Sequence, residues 1–290
     1  VVVLLILLLG NQSTPSPSTT PPSTTPSPTI SSNYHFNCPA SLLAPSAKTP
    51  TNANKVRPAD IQFVAALGDS ITTAYYAFNP PDTTPASYYG NSFVIGGDGE
   101  MASHPTIATI LRHLNPSLLG ASTGTGVNFT QTQLNVAIPS TLSADVPAQA
   151  EDLVNKLQNY SSELVETGWK LVHIFTGTND IVLGGVCTNG KGVTKAQYKQ
   201  NIKDAIDIIQ GNITRTIISI IGLWGHDFSM NAHIILKGLT QENQIICLNP
   251  FWNTAQALID QYKAAVVELA LDYANSPTGT NTSAVVVQNL

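Results

Sequence analysis

Short aliphatic runs alternate along the chain with longer stretches in which apolar residues recur every third or fourth position, and this alternation restricts the fold more than any other feature. Ile61–Leu67 is such a run and stops at Gly68-Asp69-Ser70; Trp169–Phe175 is another and stops at Thr176-Gly177-Thr178-Asn179-Asp180. Thr216–Leu223 and Ala284–Val287 read as further strands. Helical spacing runs over Val146–Tyr160, where Leu153, Val154 and Leu157 share a face behind Pro147 in the first turn. It recurs over Ala196–Gln210, through Ile202, Ala205, Ile206 and Ile209, and over Phe251–Ala274. Ile71–Phe78 is expected to continue from the first polar turn as helix. Strands that are apolar on both faces belong to parallel sheets covered by helices. The expected fold is α/β: a doubly wound, mostly parallel sheet with helices on both faces, a flavodoxin-like three-layer sandwich. Ligands in such sheets bind beyond the carboxyl ends of the strands, where both polar turns lie.

The flanks read differently. Residues 1–10 open with nine aliphatic residues before Gly10, the length of a secretory h-region and about half that of a bilayer-spanning helix. Neither Met nor a basic segment precedes them, so the chain is expected to begin inside a longer reading frame. Residues 11–58 form a Ser/Thr/Pro-rich stalk and lead-in that resembles O-glycosylated tethers, and the domain is expected over 59–290. Thirteen Lys+Arg against 18 Asp+Glu, with no basic run, exclude recognition of a nucleic-acid backbone. Charged residues make up 11% of the chain and hydrophobic ones 42%, so glycans at the sequons Asn11, Asn128, Asn159, Asn212 and Asn281 would supply missing surface polarity. Location outside the cell, secreted or on the outer face of the plasma membrane, is the expectation. Of Cys38, Cys187 and Cys247, the pair Cys187–Cys247 is the favoured disulfide. No spacing suggests a metal site, and no cofactor is expected.

A Ser in a tight turn after a strand presents its hydroxyl above the sheet and its N–H toward a bound carbonyl, which suits a nucleophile; helix capping is the commoner use of Asp-Ser. Asn179, delivered to the same edge by a second strand, offers the N–H₂ donor of an oxyanion hole, and Asp180 a carboxylate; an Asx-turn is the competing reading. Ile95-Gly96-Gly97-Asp98-Gly99 would let backbone N–H groups approach a ligand closely.

Taken together these segments resemble the GDSL (SGNH) hydrolases, and closely the phospholipase B-like branch. Ala59–Ser70 resembles the nucleophile block, Ile95–Gly99 the second block and Gly177-Thr178-Asn179-Asp180 the Gly-x-Asn-Asp block, with Asn115-Pro116, Leu118–Gly120, Val146-Pro147-Ala148-Gln149-Ala150 and Val285–Gln288 as further matches. The resemblance implies that Ser70 is the nucleophile. The Ser70 N–H, the N–H of Gly96 or Gly97 and the Asn179 side chain would form the oxyanion hole. Asp180 is the triad acid in the phospholipase B branch, whereas elsewhere the acid lies three residues before the catalytic His. Implied substrates are acyl esters of phospholipids or related lipids, cleaved without a metal, by a monomer that touches membranes peripherally.

The family's closing block, an Asp-x-x-His or a variant ending in His, follows the strand that Ala284–Gln288 resembles. Here Leu290 ends the sequence, and none of the six His has Asp three positions earlier. A serine without a base loses about 10²–10⁴-fold in rate, so these 290 residues are expected to be nearly inactive, part of a longer protein. His226, next to Asp227, is the substitute base to consider; His104 lies near the glycine block and His173 inside a strand. The competing classes are a secreted glycoprotein that keeps the fold as a binding module without catalysis, and a family esterase acting on acetylated carbohydrate.

Overall fold

The computed structural model describes residues 39–77, 87–182, 193–223, 252–275 and 281–288. Four strands, β1 (Ile61–Gly68), β2 (Trp169–Phe175), β3 (Thr216–Ile221) and β4 (Ser283–Gln288), pair in parallel in the order β1-β2-β3-β4. On the other side of β1 runs an interrupted edge. The Val64 N–H donates to the Leu119 carbonyl at 3.0 Å, the Ala66 N–H to Leu134 at 3.1 Å, and the N–H groups of Val136 and Ile138 donate to Ala66 and Gly68 at 2.9 and 3.1 Å. The spatial order is therefore edge, β1, β2, β3, β4, and the winding reverses between β1 and β2.

The principal helices are α1 (Ile107–Leu114), α2 (Val146–Leu157), α3 (Ser162–Thr167), α4 (Thr178–Val182), α5 (Lys195–Asn212) and α6 (Trp252–Ala274). Packing of α2 on α5 and of α5 on α6 forms one layer. The connection that carries α1 crosses from β1 to the edge, opposite in direction to the later ones, and right-handed crossovers then put α1 on the other face. A reciprocal capping box starts α1: Thr109 N–H donates to Thr106 Oγ1 at 3.0 Å and Thr106 N–H to Thr109 Oγ1 at 2.8 Å. Between α5 and α6, Lys195 pairs with Glu268 and Lys199 with Asp272 at 2.7 Å, beside the stacked rings of Tyr198 and Tyr262, 4.1 Å apart.

The expected α/β sheet is observed, with two departures. Residues 71–77 are not helical: one wide turn closes with Thr73 N–H to the Asp69 carbonyl at 3.2 Å and Tyr75 N–H to Ser70 at 2.9 Å, and it ends where Ala74 and Tyr76 take φ of 52° and 60°. Thr73 Oγ1 donates to the Ser70 carbonyl at 3.0 Å, and such local bonds compete with helix. The lead-in from about residue 46 also packs on the domain: Asp60 accepts from the Ser46 N–H and hydroxyl at 2.7 and 2.8 Å, and Trp169 Nε1 donates to the carbonyl of buried Pro50 at 2.8 Å.

Lys170, with 1% of its surface exposed, lies in an apolar-looking strand. Its ammonium donates to the carbonyls of Val165, Gly168 and Thr214, tying α3 and the entries to β2 and β3 together. Burial, with Arg215 nearby, lowers its pKa to about 8. Among the described residues no helix is long and apolar enough to cross a membrane.

Candidate active site

β1 ends at Gly68, whose φ of +154° and crowded surroundings exclude a side chain: an added Cβ would meet the Phe175 carbonyl at 2.3 Å and Thr72 Oγ1 at 2.4 Å. That proximity brings the end of β1 against the end of β2, in line with the Gly68–Phe175 register. Asp69 follows, fully buried, with Oδ1 accepting from the Ile71 N–H at 2.9 Å and Oδ2 without a partner. Desolvation, offset in part by the Ile71 bond and reinforced by the charge of Asp180, raises its pKa to about 7. Ser70 is half-buried, and among the described residues neither its hydroxyl nor its N–H is engaged in a hydrogen bond.

From β2 the chain turns through Gly177 into α4. Half-buried Asn179 donates one Nδ2 proton to the Thr141 carbonyl at 2.9 Å, which leaves the other available. Asp180 is fully buried: Oδ2 accepts from the Ser143 N–H at 2.8 Å and Oδ1 from the Ser143 hydroxyl, which also accepts from Asn201 Nδ2 at 2.9 Å. Burial raises the Asp180 pKa against these bonds.

The glycine block serves a different end from the one expected. The Gly96 N–H donates to the Ser92 carbonyl at 2.8 Å and the Gly97 N–H to Ser122 at 2.7 Å, so both donors are spent inside the loop. A Cβ on Gly96 would lie 2.5 Å from the Gly90 carbonyl and from the Ser92 nitrogen; the missing side chain makes room for the backbone of 90–92, not for a ligand. Arg112 closes the loop by donating to the carbonyls of Gly97 and Gly99 at 2.8 and 2.6 Å.

Of the histidines, His173 is sealed in β2 with both nitrogens unpartnered and its pKa lowered to about 4 by burial, and His104 Nε2 is also buried without a partner. His226, Cys187, Cys247 and Asn11 lie outside the described residues. Among the described residues no group of three His, Cys, Asp or Glu could hold a metal ion.

Two residues that sequence reasoning passes over, Thr141 and Ser143, and one that it meets only within a matched stretch, Gln149, complete the site. Thr141, Ser143 and Gln149 join the two turns, and Gln149 sits 3% exposed on the buried face of α2 with Val146, Ala150 and Leu153. A lone amide at a core position of an amphipathic helix is the signal that marks Gln149 out within that stretch.

The model of the GDSL-like Lipase/Acylhydrolase family matches residues 64–290. The chain is 41% identical over 177 residues to the membrane-associated phospholipase B1 of Homo sapiens, and 37% identical over 180 residues to that of Rattus norvegicus. Each match covers 61% of this chain but 12% of the relative, so the chain spans a small part of the length of the curated relatives it matches. Among solved structures, a carbohydrate esterase family 3 protein from Talaromyces cellulolyticus aligns over 79% of both chains at 12% identity, with a TM-score of 0.42. Phospholipase A1 from Streptomyces albidoflavus aligns over 78% of both at 13% identity, with a TM-score of 0.28. With the family model running from within β1 to the final residue, the chain belongs to the GDSL-like lipase/acylhydrolase family, and within it resembles the phospholipase B-like branch.

Proposed function

We propose that the protein is an extracellular serine esterase of phospholipase B type that cleaves acyl esters of phospholipids or related lipids. The observation that carries this reading is the pairing of β1 with β2, which ends both strands together at the switch point and leaves Ser70 and Asn179 there with uncommitted groups. Ser70 Oγ attacks the ester carbonyl as an imidazole takes its proton. Negative charge then develops on the carbonyl oxygen, which the Ser70 N–H and the free Asn179 Nδ2 proton stabilise. The acyl-serine forms as the alcohol leaves with the proton, and water releases the fatty acid by the same steps in reverse order. Asp180, with both oxygens on Ser143, holds the 141–143 segment against the second turn and keeps further lone pairs, so the Asp180 and Ser143 variants below decide whether it also orients the imidazole.

Extracellular location is supported by the exposure of Asn128, Asn159, Asn212 and Asn281. Asn159, Asn212 and Asn281 precede β2, β3 and β4 at the N-terminal edge of the sheet, opposite Ser70, so glycans there would leave the lipid-facing edge bare.

A fluorophosphonate probe on the full-length protein secreted from eukaryotic cells tests the reading, since it needs base and oxyanion hole but no particular substrate. Labelling should map to Ser70, vanish in Ser70→Ala, and fall alike in Asp180→Asn and Ser143→Ala. A collapse in Asp180→Asn with Ser143→Ala unaffected would make Asp180 the triad acid, and loss in His226→Ala would make His226 the base. Lipid binding that persists in Ser70→Ala, without labelling of the wild type, would replace the esterase by a binding module. Release of acetate from acetylated xylan without fatty acid from phosphatidylcholine would move the substrate to carbohydrate. Intact mass before and after peptide-N-glycosidase reads the sequons of the same sample, and an unchanged mass would refute the glycan assignment.

A further inference from the structure

Gly68 bonds to the edge of the sheet in an unusual way. In a parallel sheet the N–H and carbonyl of one residue point to the same side, and along β1 the even-numbered residues face the edge: Gln62 and Val64 pair with Leu119, and Ala66 pairs with Leu134 and Val136. At Gly68 the carbonyl accepts from the Ile138 N–H at 3.1 Å, but no backbone carbonyl of the edge receives the Gly68 N–H. The side chain of Gln149 takes that place. Its Oε1 accepts from the Gly68 N–H at 2.8 Å and its Nε2 donates to the Gly68 carbonyl at 3.0 Å. A carboxamide reproduces the donor and acceptor of a peptide, so one buried side chain completes the ladder two residues before the nucleophile. The second Nε2 proton goes to Thr141 Oγ1 at 3.2 Å, that hydroxyl lies 3.2 Å from the Gly68 carbonyl, and the Thr141 carbonyl accepts from Asn179 at 2.9 Å. Gly68, Gln149, Thr141 and Asn179 thus form one bonded chain from the turn that carries Ser70 to the turn that carries the amide donor.

We propose that Gln149 and Thr141 are positioning residues that fix the Ser70 turn relative to the Asn179 amide, touching no substrate themselves. Gly68 has no side chain to pack and adopts a backbone conformation rare for other residues, so its position rests on these bonds. The inference rests on the esterase reading for its kinetic consequence, whereas the restraint on the turn stands apart from it.

Gln149→Glu keeps an acceptor for the Gly68 N–H but sets a carboxylate against the Gly68 carbonyl, and Gln149→Met fills the volume with neither bond. Both should lower kcat for a soluble short-chain ester about 10–100-fold with KM within about threefold, since misplacement near an ångström costs rate and not affinity. Thr141→Val, which keeps the carbonyl that Asn179 uses, should lower kcat less than either. Amide hydrogen exchange should quicken at Gly68 and through residues 69–71 in the Gln149 variants, with Ile218 and Ile220 of β3 as protected as in the wild type. Unchanged kcat and unchanged exchange at Gly68 would overturn the proposal. So would exchange that rises equally in β3, because Gln149 would then serve stability in general; if the Gln149 variants do not fold, Thr141→Val decides on the same two readouts. Absence of Ser70-dependent hydrolysis in the wild type would defeat the esterase reading instead. Exchange confined to 68–71 would then still uphold the restraint, and its absence would still overturn it.

Discussion

The two ends of the sheet treat polar groups in opposite ways. At the N-terminal edge they are spent: Lys170 donates to three carbonyls, Arg215 to Thr167 at 2.6 Å, Asn115 to Ile61 at 2.7 Å and Trp169 to Pro50. At the C-terminal edge they are held back: Asp69 Oδ2 is unpartnered, and the Ser70 hydroxyl and N–H and one Asn179 proton have no partner among the described residues. Burying an unpaired polar group costs about 1–3 kcal/mol. On the proposed esterase reading, the scaffold lies at the first edge and the chemistry at the second.

The sharpest separation should come from Asn179→Ala, which removes the proposed oxyanion donor and should lower kcat about 10²–10³-fold while the melting temperature stays within a few degrees. Substantial unfolding in that variant would show that the C-terminal edge is scaffold too. Lys170→Met should do the reverse, leaving three part-buried carbonyls short of a donor at a cost of about 3 kcal/mol, measured by urea unfolding, with kcat unchanged. A stable Lys170→Met would erase the contrast from the other side. Per pH unit the smallest effect is expected at Asp69. Its native pKa of about 7 lies above the ordinary 3.8, so the unfolded chain releases this proton between about pH 4 and 7 while the folded protein keeps it. The Asp69 contribution to stability therefore falls as pH rises through that window and is flat above it. Asp69→Asn should flatten that slope by up to about 1.4 kcal/mol per pH unit in stability measured from pH 4 to 8. An unaltered slope would mean that Asp69 is ionised throughout and better solvated than its burial implies.

Where a feature is local, the sequence discloses it. Ser70 and Asn179 stand out because each interrupts an aliphatic run, and an interruption at the end of a buried strand is visible without knowledge of the fold. Gly96 and Gly97 were open to two readings that local sequence cannot separate: close approach to a ligand and close approach to the neighbouring backbone both demand a missing Cβ. Only the partners, Ser92 and Ser122, decide. Ile71–Phe78 looked helical by its neighbours, yet bonds from Thr73 and the left-handed backbone of Ala74 and Tyr76 close a wide turn instead. Gln149 and Lys170 were the hardest to read, because their meaning lies in carbonyls and amides far away in the sequence.

Distance along the chain also sets an order in time. Gln149 follows Gly68 by 81 residues, and Asn179 comes later still. A ribosome adding about 5–20 residues per second needs roughly 4–16 s to supply the amide that closes the Ser70 turn after Gly68 has been made. Throughout that interval Ser70 lacks both the Gln149 clasp and the Asn179 turn. On the proposed esterase reading, Ser70 acquires its reactivity late in synthesis, when the edge of the sheet has closed behind it.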